Sequence, residues 1–548
     1  MRIKECIRWL WKASRTVRAP IVWSSLIGIG HVGVSLFFIY VCKHLIDIVT
    51  GHSEDELAVY IGWMFFCVFM QLVFSVFRSR LGSHTEISLR NELRDELFTH
   101  LLGIRLDGRN RIHTGDMLNR LEEDVATVTD ALCRTVPSVV ITAVQLVGAL
   151  FVLADLDARL AGVLFCIMPV ALLFSKGYVR KMRRLSREIR MTDSSVQSHL
   201  QEHLQHRVLI RTLEYTGRAV KALELLQKTL QQQVNRRTDF SIFSRSMVQI
   251  GFATGYAVAF LWGIFGLRDG TVTFGMMTAF LQLVAQIQRP MVDLSRQVPA
   301  FIRVFTSTER LAELTSQPLE EQGENVRLEG NVGIRFEEVN FCYPDGKRNV
   351  LENFTHDFKP GSLTAIVGET GAGKSTLLRL ILALFLPDKG QIYLYNKQET
   401  AVVSPQTRCN LSYVPQGNTL VSGTIRENLR MGKPDATEDE MRTALHVAAA
   451  DFVYTLTEGL DTRCGEQGAG ISEGQAQRIA IARGLLRPGN ILLLDEPSSS
   501  LDSKTEKELL ERLNGNLQGK TLVLITHKET VAQLCTEVIR MNKLKHSK

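Results

Sequence analysis

The sequence lacks the cysteine spacing that disulfide frameworks and zinc sites require. Its nine cysteines are an odd number, and none of them forms a C-x-x-C pair. This pattern excludes a disulfide-stapled domain and indicates a reducing environment for the soluble part of the chain. The first apolar run also carries no small-residue cleavage motif, so we do not expect a removable signal peptide.

Length and charge indicate two large domains, one of them at a membrane. The chain has 548 residues, more than a single hydrophobic core usually supports. Residues 331–548 contain 26 basic and 26 acidic residues, so the net charge of +7 belongs to residues 1–330. That excess accompanies long apolar stretches, which favours membrane flanks over a nucleic-acid surface. Trp9 and Trp11 among the N-terminal cations are typical of an interfacial helix rather than a mitochondrial presequence.

Six apolar stretches each approach the roughly 20 residues that cross a hydrocarbon core of ~30 Å. The joins after the first, third and fifth are short, whereas the joins after the second and fourth are long and polar. The sequence therefore predicts a six-helix transmembrane domain over residues 1–315. Its spans lie near 20–42, 58–77, 135–154, 158–175, 247–267 and 273–293, of which the fourth and sixth are the least cleanly defined.

The cations predict the orientation of these spans. The N-terminus and the long joins carry most of them, including seven between Lys176 and Arg190, whereas each short join carries one. The positive-inside bias therefore places both termini and both long joins in the cytoplasm. We expect an integral, multi-pass protein of a bacterial-type plasma (inner) membrane, with its second domain cytoplasmic.

The long joins have helical periodicity without proline, so they predict helices that extend the spans into the cytoplasm. Each join has one break, at Thr114-Gly115-Asp116 and at Gln205-His206-Arg207. Short turns there predict coupling helices near 108–120 and 200–215. Plain helical hairpins without a coupling role fit the pattern equally well.

The second domain contains a P-loop. A polar linker at 316–330 precedes alternating strand and helix patterns over 331–548. After the apolar strand Leu363–Val367, the chain matches G-x-x-x-x-G-K-[ST] and enters a helix. Backbone N–H groups then face the phosphates of ATP, Lys374 reaches the β- and γ-phosphates, and Ser375 binds Mg²⁺. The predicted ATP-binding residues are Gly368, Glu369, Thr370, Gly371, Ala372, Gly373, Lys374, Ser375 and Thr376.

A second apolar strand, Ile491–Leu494, ends in Asp495 and Glu496. A carboxylate at such a strand end holds Mg²⁺ through water, and the next one polarises the attacking water. We therefore assign Asp495 to the metal and Glu496 to catalysis. P-loops also occur in kinases, GTPases, helicases and motors, so these two motifs leave the class of NTPase open.

The remaining motifs resemble those of ABC transporters. Ile471-Ser472-Glu473-Gly474-Gln475 is similar to the signature sequence of that family. The membrane half resembles six-span exporters, so the resemblance covers nearly the whole chain. Further family elements are matched in order by Tyr343 (stacks on adenine), Gln416 (senses Mg²⁺), Gly465-Glu466 (touches the coupling helices), Ser499–Asp502 (crosses the dimer interface) and His527 (contacts the γ-phosphate).

This resemblance implies a multidomain membrane protein, with an all-α six-helix transmembrane domain and an α/β P-loop nucleotide-binding domain of ABC type. In the family, two ATPase domains enclose each ATP, and cycles of closure and hydrolysis alternate access to the two membrane faces. The family implies catalytic roles for Glu496, His527, Gln416 and Lys374. It implies Mg²⁺ binding for Ser375, Gln416 and Asp495. The signature residues Ser472, Glu473, Gly474 and Gln475 are implied to contact, in trans, the ATP bound by a second half-transporter chain.

Glu473 departs from the family, whose signature usually has a second glycine there. A carboxylate directed at the γ-phosphate repels it, whereas one directed at solvent costs little. The solvent-directed orientation is favoured because Glu496 and His527 are both present. The alternative is a heterodimeric exporter to which this chain contributes one weak signature.

One polar helix face in the sixth span bears on the cargo. Gln282, Gln286, Arg289, Asp293 and Arg296 recur at spacings of three and four, so they share that face. Polar groups in a span turn away from lipid, which makes Gln282, Gln286 and Arg289 candidates for a substrate cavity. An ion pair between Arg289 and Asp293 is the alternative.

Together these features predict ATP-driven export of an amphipathic solute, lipid, peptide or drug by a dimer, and a homodimer more readily than a heterodimer. The partners are a second chain and membrane lipids, with no nucleic acid. An ATP-gated channel or a regulatory membrane subunit stays open as another class. A soluble ABC ATPase of repair or translation conflicts with the six spans.

Overall fold

The computed structural model describes residues 3–105, 114–164, 175–343, 349–465, 470–498, 500–516 and 519–542. It divides into two compact units. The first unit contains Met1–Phe98 and Leu118–Thr315, and the second contains Thr99–Met117 and Ser316–Lys548.

Helices make up the described part of the first unit. The segment from Thr114 to Leu156 is nearly continuous, because π-helical turns at Arg120–Asp124 and Ala131–Thr135 join three of its α-helices. The α-helices, some of which extend into the second unit, are α1 (Ile3–Ala13), α2 (Arg18–Val49), α3 (Leu57–Gly103), α4 (Thr114–Asn119), α5 (Val125–Asp130), α6 (Val136–Leu156), α7 (Ser175–Gln205), α8 (Arg207–Thr212), α9 (Thr216–Arg268) and α10 (Phe274–Thr315).

Four described segments are long and apolar enough to cross a membrane, namely Arg18–Val49, Leu57–Gly103, Gly115–Leu156 and Gln249–Arg268. They contain the first, second and third predicted spans, and all of the fifth except residues 247 and 248. In the fourth, residues 158–164 are helical, and residues 165–174 lie outside the described residues. The sixth lies on α10, which is not among the four because three glutamines and Arg289 interrupt its apolar sequence.

The break predicted in the second long join is present. Helix α7 ends at Gln205, α8 follows as a separate six-residue helix without a buried residue, and α9 begins at Thr216. Glu214 has a φ of +53°, which turns the chain between α8 and α9. In the first long join, α4 begins at Thr114, and residues 108–113 of the predicted coupling helix lie outside the described residues.

The second unit is built on a five-stranded sheet of order β11-β3-β10-β9-β6, in which all neighbouring strands are parallel. An antiparallel sheet of order β2-β1-β4-β5 accompanies it. The strands are β1 (Gly333–Cys342), β2 (Asn349–Phe358), β3 (Leu363–Gly368), β4 (Lys389–Tyr395), β5 (Thr400–Val402), β6 (Leu411–Val414), β7 (Gly423–Thr424), β8 (Arg463–Cys464), β9 (Ile491–Asp495), β10 (Thr521–Ile525) and β11 (Glu537–Met541).

Both faces of the parallel sheet are covered, which is why β9 and β10 are unbroken apolar runs with every residue buried. Leu494 and Leu524 face one apolar cluster, and Leu493 and Val523 face the other. The helices of this unit are α11 (Lys374–Ile381), α12 (Ile425–Arg430), α13 (Glu438–Val447), α14 (Glu473–Leu486), α15 (Ser503–Asn516) and α16 (Glu529–Ala532). Helix α11 begins at Lys374, inside the P-loop motif itself.

Candidate functional site

The predicted catalytic residues meet at one edge of the parallel sheet. Strands β3, β10, β9 and β6 lie side by side, and their carboxyl ends share that edge. The P-loop follows β3, His527 follows β10, Asp495 ends β9, and Gln416 follows β6. In open parallel sheets this edge is where ligands bind, because helix N-termini and loop side chains collect there.

Glycines allow the sharp turn from β3 into α11. Gly371 and Gly373 have φ values of +84° and +96°, in the left-handed region that other residues adopt only with strain. A Cβ on Gly368 would lie 2.2 Å from the Met541 carbonyl oxygen of the neighbouring strand. Around these glycines, Ala372, Lys374 and Thr376 are buried, whereas Glu369, Thr370 and Ser375 are exposed.

Lys374 lies within the loop that it is predicted to complete. Its Nζ donates to the carbonyl oxygens of Gly368 at 2.7 Å and Glu369 at 3.0 Å. Burial lowers the pKa of Lys374, and the carboxylates of Glu496 and Asp495 oppose that effect. The two carbonyl contacts hold the ammonium group inside the loop, where it is placed to bind phosphate oxygens.

Asp495 and Ser375 provide two adjacent oxygen ligands. Asp495 is buried at the end of β9, and Ser375 lies in the first turn of α11. Burial raises the pKa of Asp495, whereas a hydrogen bond with the Ser375 hydroxyl lowers it. A bound cation would remove the cost of a buried negative charge at this position.

Glu496 forms the centre of a three-residue cluster. His527 Nε2 lies 2.6 Å from its Oε1, and Gln416 Nε2 donates to its Oε2 at 2.6 Å. The backbone of Glu496 has a φ of +48°, a strained conformation for a residue with a side chain. Both carboxylate oxygens are thus oriented by neighbours from adjacent strands, which is the arrangement that a positioned general base requires.

Tyr343 lies beside the P-loop helix. Its hydroxyl group is 2.9 Å from Thr376 Oγ1, and Arg379 Nη1 donates to it at 3.3 Å. The ring packs edge-on against Phe341 and Phe385. This position next to the phosphate loop is compatible with the predicted contact to adenine.

The signature residues lie at the N-terminus of α14. Ser472 caps this helix: its hydroxyl accepts from the backbone N–H of Gln475 at 3.3 Å, and Gln475 Oε1 accepts from the Ser472 N–H at 3.0 Å. Ser472 and Glu473 are exposed. Gly474 packs so closely that a Cβ there would lie 2.6 Å from the Ser500 carbonyl oxygen. Of the other family elements, Glu466 and Ser499 lie outside the described residues.

The sequence motifs do not include Lys528 and Glu506, yet the structure joins them. Lys528 Nζ is 3.0 Å from Glu506 Oε1 and donates to the Ser498 carbonyl oxygen at 3.2 Å. This contact ties the segment after His527 to the segment after Glu496. Lys528 could have been recognised from the sequence because it directly follows His527. Glu506 lies 22 residues before Lys528 and belongs to no motif, so it could not.

On α10 the predicted substrate residues differ in their surroundings. Gln286 donates to Ser35 Oγ at 3.1 Å and accepts from Gln145, so its amide links three helices. Gln282 is half-buried, and Arg289 is exposed. Among the ion pairs between described side chains, none joins Arg289 to Asp293, so the alternative pairing is not seen; the side chain of Arg296 is not described.

These groups fit ATP and Mg²⁺. The glycine loop, the N-terminus of α11 and the Lys374 ammonium group form a positively polarised cradle for phosphates. The Ser375 hydroxyl and Asp495 carboxylate offer the hard oxygen ligands that Mg²⁺ prefers. The fold and the site therefore define a P-loop ATPase joined to a multi-helix membrane region.

Comparison with known proteins identifies the family. The protein-family model described as the ABC transporter transmembrane region matches residues 23–291, and the family model described as ABC transporter matches residues 351–499. The chain therefore belongs to the ABC transporters, with the membrane and ATP-binding regions fused. It is an exporter-type, multi-pass membrane protein whose ATP-binding region couples ATP hydrolysis to transport. Mg²⁺ is the typical cofactor of this family.

Individual relatives agree with this assignment. The uncharacterized ABC transporter ATP-binding protein YfiB of Bacillus subtilis (strain 168) is 29% identical over 472 residues, covering 84% of this chain and 80% of the relative. The fatty acid ABC transporter ATP-binding/permease protein of Mycobacterium tuberculosis (strain CDC 1551 / Oshkosh) is 29% identical over 451 residues, covering 81% and 70%. The structure of a bacterial Atm1-family ABC exporter with ATP bound has a TM-score of 0.79 at 20% identity, covering 97% of this chain and 95% of that chain. At that identity it supports the fold, and it confirms the predicted fold class.

Proposed function

We propose that this chain is one half of a homodimeric exporter that moves an amphipathic molecule outward across a bacterial plasma membrane by alternating access. One observation carries the proposal: the P-loop, Glu496 and His527 share one sheet edge, whereas Ser472 and Glu473 are exposed at the N-terminus of α14. An exposed helix N-terminus binds anions. Half-transporters of this family generally form dimers. In a dimer, the N-terminus of α14 would contact the phosphates of the ATP bound at the second copy's P-loop.

The catalytic roles follow from the contacts. Lys374 exchanges its two carbonyl partners for phosphate oxygens when ATP binds. Glu496 accepts a proton from the attacking water, while His527 and Gln416 hold its carboxylate in place. Ser375 and Asp495 hold Mg²⁺, which when bound neutralises charge on the phosphates. We propose the solvent-directed orientation for Glu473, in which its carboxylate does not repel the second copy's phosphate.

The proposed cargo combines a polar head with an apolar body. A relative named for fatty acid transport supports an acyl chain as the apolar part. The polar part is supported by Gln286 and Arg289 on α10. It is also supported by a cavity of about 310 Å³ in the first unit, whose lining includes charges of both signs, at Glu86, Arg90, Glu123, Asp130 and Arg303. Such a lining suits a zwitterionic or hydrogen-bonding head group better than a wholly apolar compound.

Transport can be tested in proteoliposomes. Wild-type protein and Glu496→Gln are reconstituted in parallel, and ATP hydrolysis is measured together with movement of a fluorescent phospholipid and a fluorescent fatty acid. We expect ATP-dependent movement of at least one probe by wild type and none by the variant. Hydrolysis without movement of any probe would favour the ATP-gated channel or regulatory subunit.

The homodimer is tested by measuring the mass of the purified protein in detergent. We expect twice the chain mass of 61.6 kDa, and ATPase activity that depends steeply on protein concentration in the dissociating range. A stable monomer with full ATPase activity would exclude the proposed sharing of the site. Activity that appears only after a different half-transporter is added would support the heterodimer.

A further inference from the structure

A short ladder joins the end of α3 to the linker that follows α10, within the second unit. Ile104 pairs with Leu319 in an antiparallel bridge. The backbone N–H of Arg105 donates to Pro318 O at 3.0 Å, and the N–H of Glu320 donates to Gly103 O at 2.9 Å. The linker predicted from composition is therefore not a loose connection at this point.

The side chain of Glu320 extends this contact toward the ATP site. Its two oxygens accept from Nη1 and Nη2 of Arg408 at 2.7 Å each, a bidentate ion pair. The same guanidinium group donates to Leu382 O at 2.6 Å and to Ala383 O at 2.8 Å. Helix α11 ends at Ile381, so Arg408 binds the carbonyl groups at the C-terminus of the P-loop helix.

These contacts are shielded and geometrically defined. The side chains of Arg408 and Glu320 are 26% and 22% exposed. A planar fork with four hydrogen bonds to fixed acceptors allows little rotation. Helix α11 is eight residues long, with the phosphate loop at its N-terminus and Arg408 at its C-terminus. A shift of α11 on nucleotide binding would therefore displace Arg408 as well.

We propose that Glu320 and Arg408 are positioning residues that transmit the nucleotide state of α11 to the end of α3 and to the linker. We call this cluster the linker clamp, formed by Gly103–Arg105, Pro318–Glu320 and Arg408. The chain passes from the first unit to the second between Phe98 and Thr99 and again between Thr315 and Ser316. The clamp joins these two of the three covalent connections between the units, so one displacement reaches both of them. The inference rests on ATP binding at the P-loop and is independent of cargo and of hydrolysis.

Hydrogen–deuterium exchange of the full chain in nanodiscs tests the clamp without a known cargo. Exchange is compared without nucleotide and with Mg²⁺ and a non-hydrolysable ATP analogue, in peptides covering 368–380, 86–98 and 300–315. Glu320→Gln removes the ionic pair, and Arg408→Lys keeps the charge without the fork. Glu321→Gln is the matched control, because this neighbouring side chain is exposed and, among the described residues, only its backbone oxygen is bonded, to Gln406.

In wild type and the control, we expect nucleotide to change exchange in all three peptides. In both clamp variants, protection of 368–380 should persist, while the response of 86–98 and 300–315 should fall by about fivefold or more. A wild-type response in those two peptides of Glu320→Gln would overturn the proposal. Loss of protection at 368–380 in both clamp variants would also overturn it, because the clamp would then support the ATP site itself. If wild type shows no response at 368–380, the failure lies with ATP binding and not with the clamp.

Discussion

Replacing Glu496 with glutamine separates ATP binding from hydrolysis. One carboxylate oxygen lies 2.6 Å from His527 Nε2, and the other accepts from Gln416 Nε2 at 2.6 Å. The amide of Glu496→Gln has the same shape and keeps one acceptor oxygen toward His527. Its NH₂ group then faces Gln416, which can rotate its own amide and offer an oxygen instead. The cluster should therefore keep its geometry and lose only its base.

The magnitude follows from the role of the lost group. A positioned general base contributes about 10²–10⁴-fold to the rate. Each tenfold corresponds to about 1.4 kcal/mol, so the barrier should rise by about 3–5 kcal/mol. The affinity for ATP should stay within about threefold, because Lys374 and the glycine loop are untouched.

Phosphate release and equilibrium binding of a fluorescent ATP analogue measure the two quantities separately. Glu399→Gln serves as the control, since it makes the same chemical change on an exposed side chain near the turn between β4 and β5. If Glu496→Gln keeps more than a tenth of the wild-type turnover, the assignment of the base is wrong. Lost ATP binding with unchanged folding would instead show that the cluster shapes the nucleotide site.

Three further variants test the site. Burial raises the pKa of Asp495 despite the Ser375 hydrogen bond, so ionising this carboxyl group destabilises the folded protein as the pH rises above the pKa of the unfolded chain. D495N should therefore raise the melting temperature at neutral pH without nucleotide. It should also abolish the extra stabilisation by Mg²⁺-ATP, and scanning fluorimetry measures both effects. With the Glu473 carboxylate directed to solvent as proposed, E473G should leave ATPase activity within about twofold, and a clear gain would reveal repulsion of the γ-phosphate. G474A places a Cβ 2.6 Å from the Ser500 carbonyl oxygen and should cost roughly 1–3 kcal/mol of local packing, lowering ATPase activity while the P-loop still binds ATP. Full activity of G474A would contradict the described packing.

Local patterns were sufficient to predict the elements that short-range chemistry specifies. Apolar runs predict the first, second, third and fifth spans, and the structure has helices there that are long and apolar enough to cross a membrane. The P-loop was predictable because a strand, a glycine turn and a helix are contiguous in the chain. The sixth span was harder to recognise, since the glutamines of α10 that contact other helices also reduce its hydropathy.

Tertiary structure alone decided which distant residues meet. Gln416 and Glu496 are 80 residues apart and become neighbours because β6 and β9 pair in parallel. Glu320 and Arg408 are 88 residues apart and belong to no motif, so their contact at the end of α11 had no sequence signal. Sequence determines where the chain can bind a phosphate or cross a bilayer, because those needs are met by neighbouring residues. The orientation of the catalytic carboxylate and the attachment of the linker depend on strand order and packing, which only the folded chain provides.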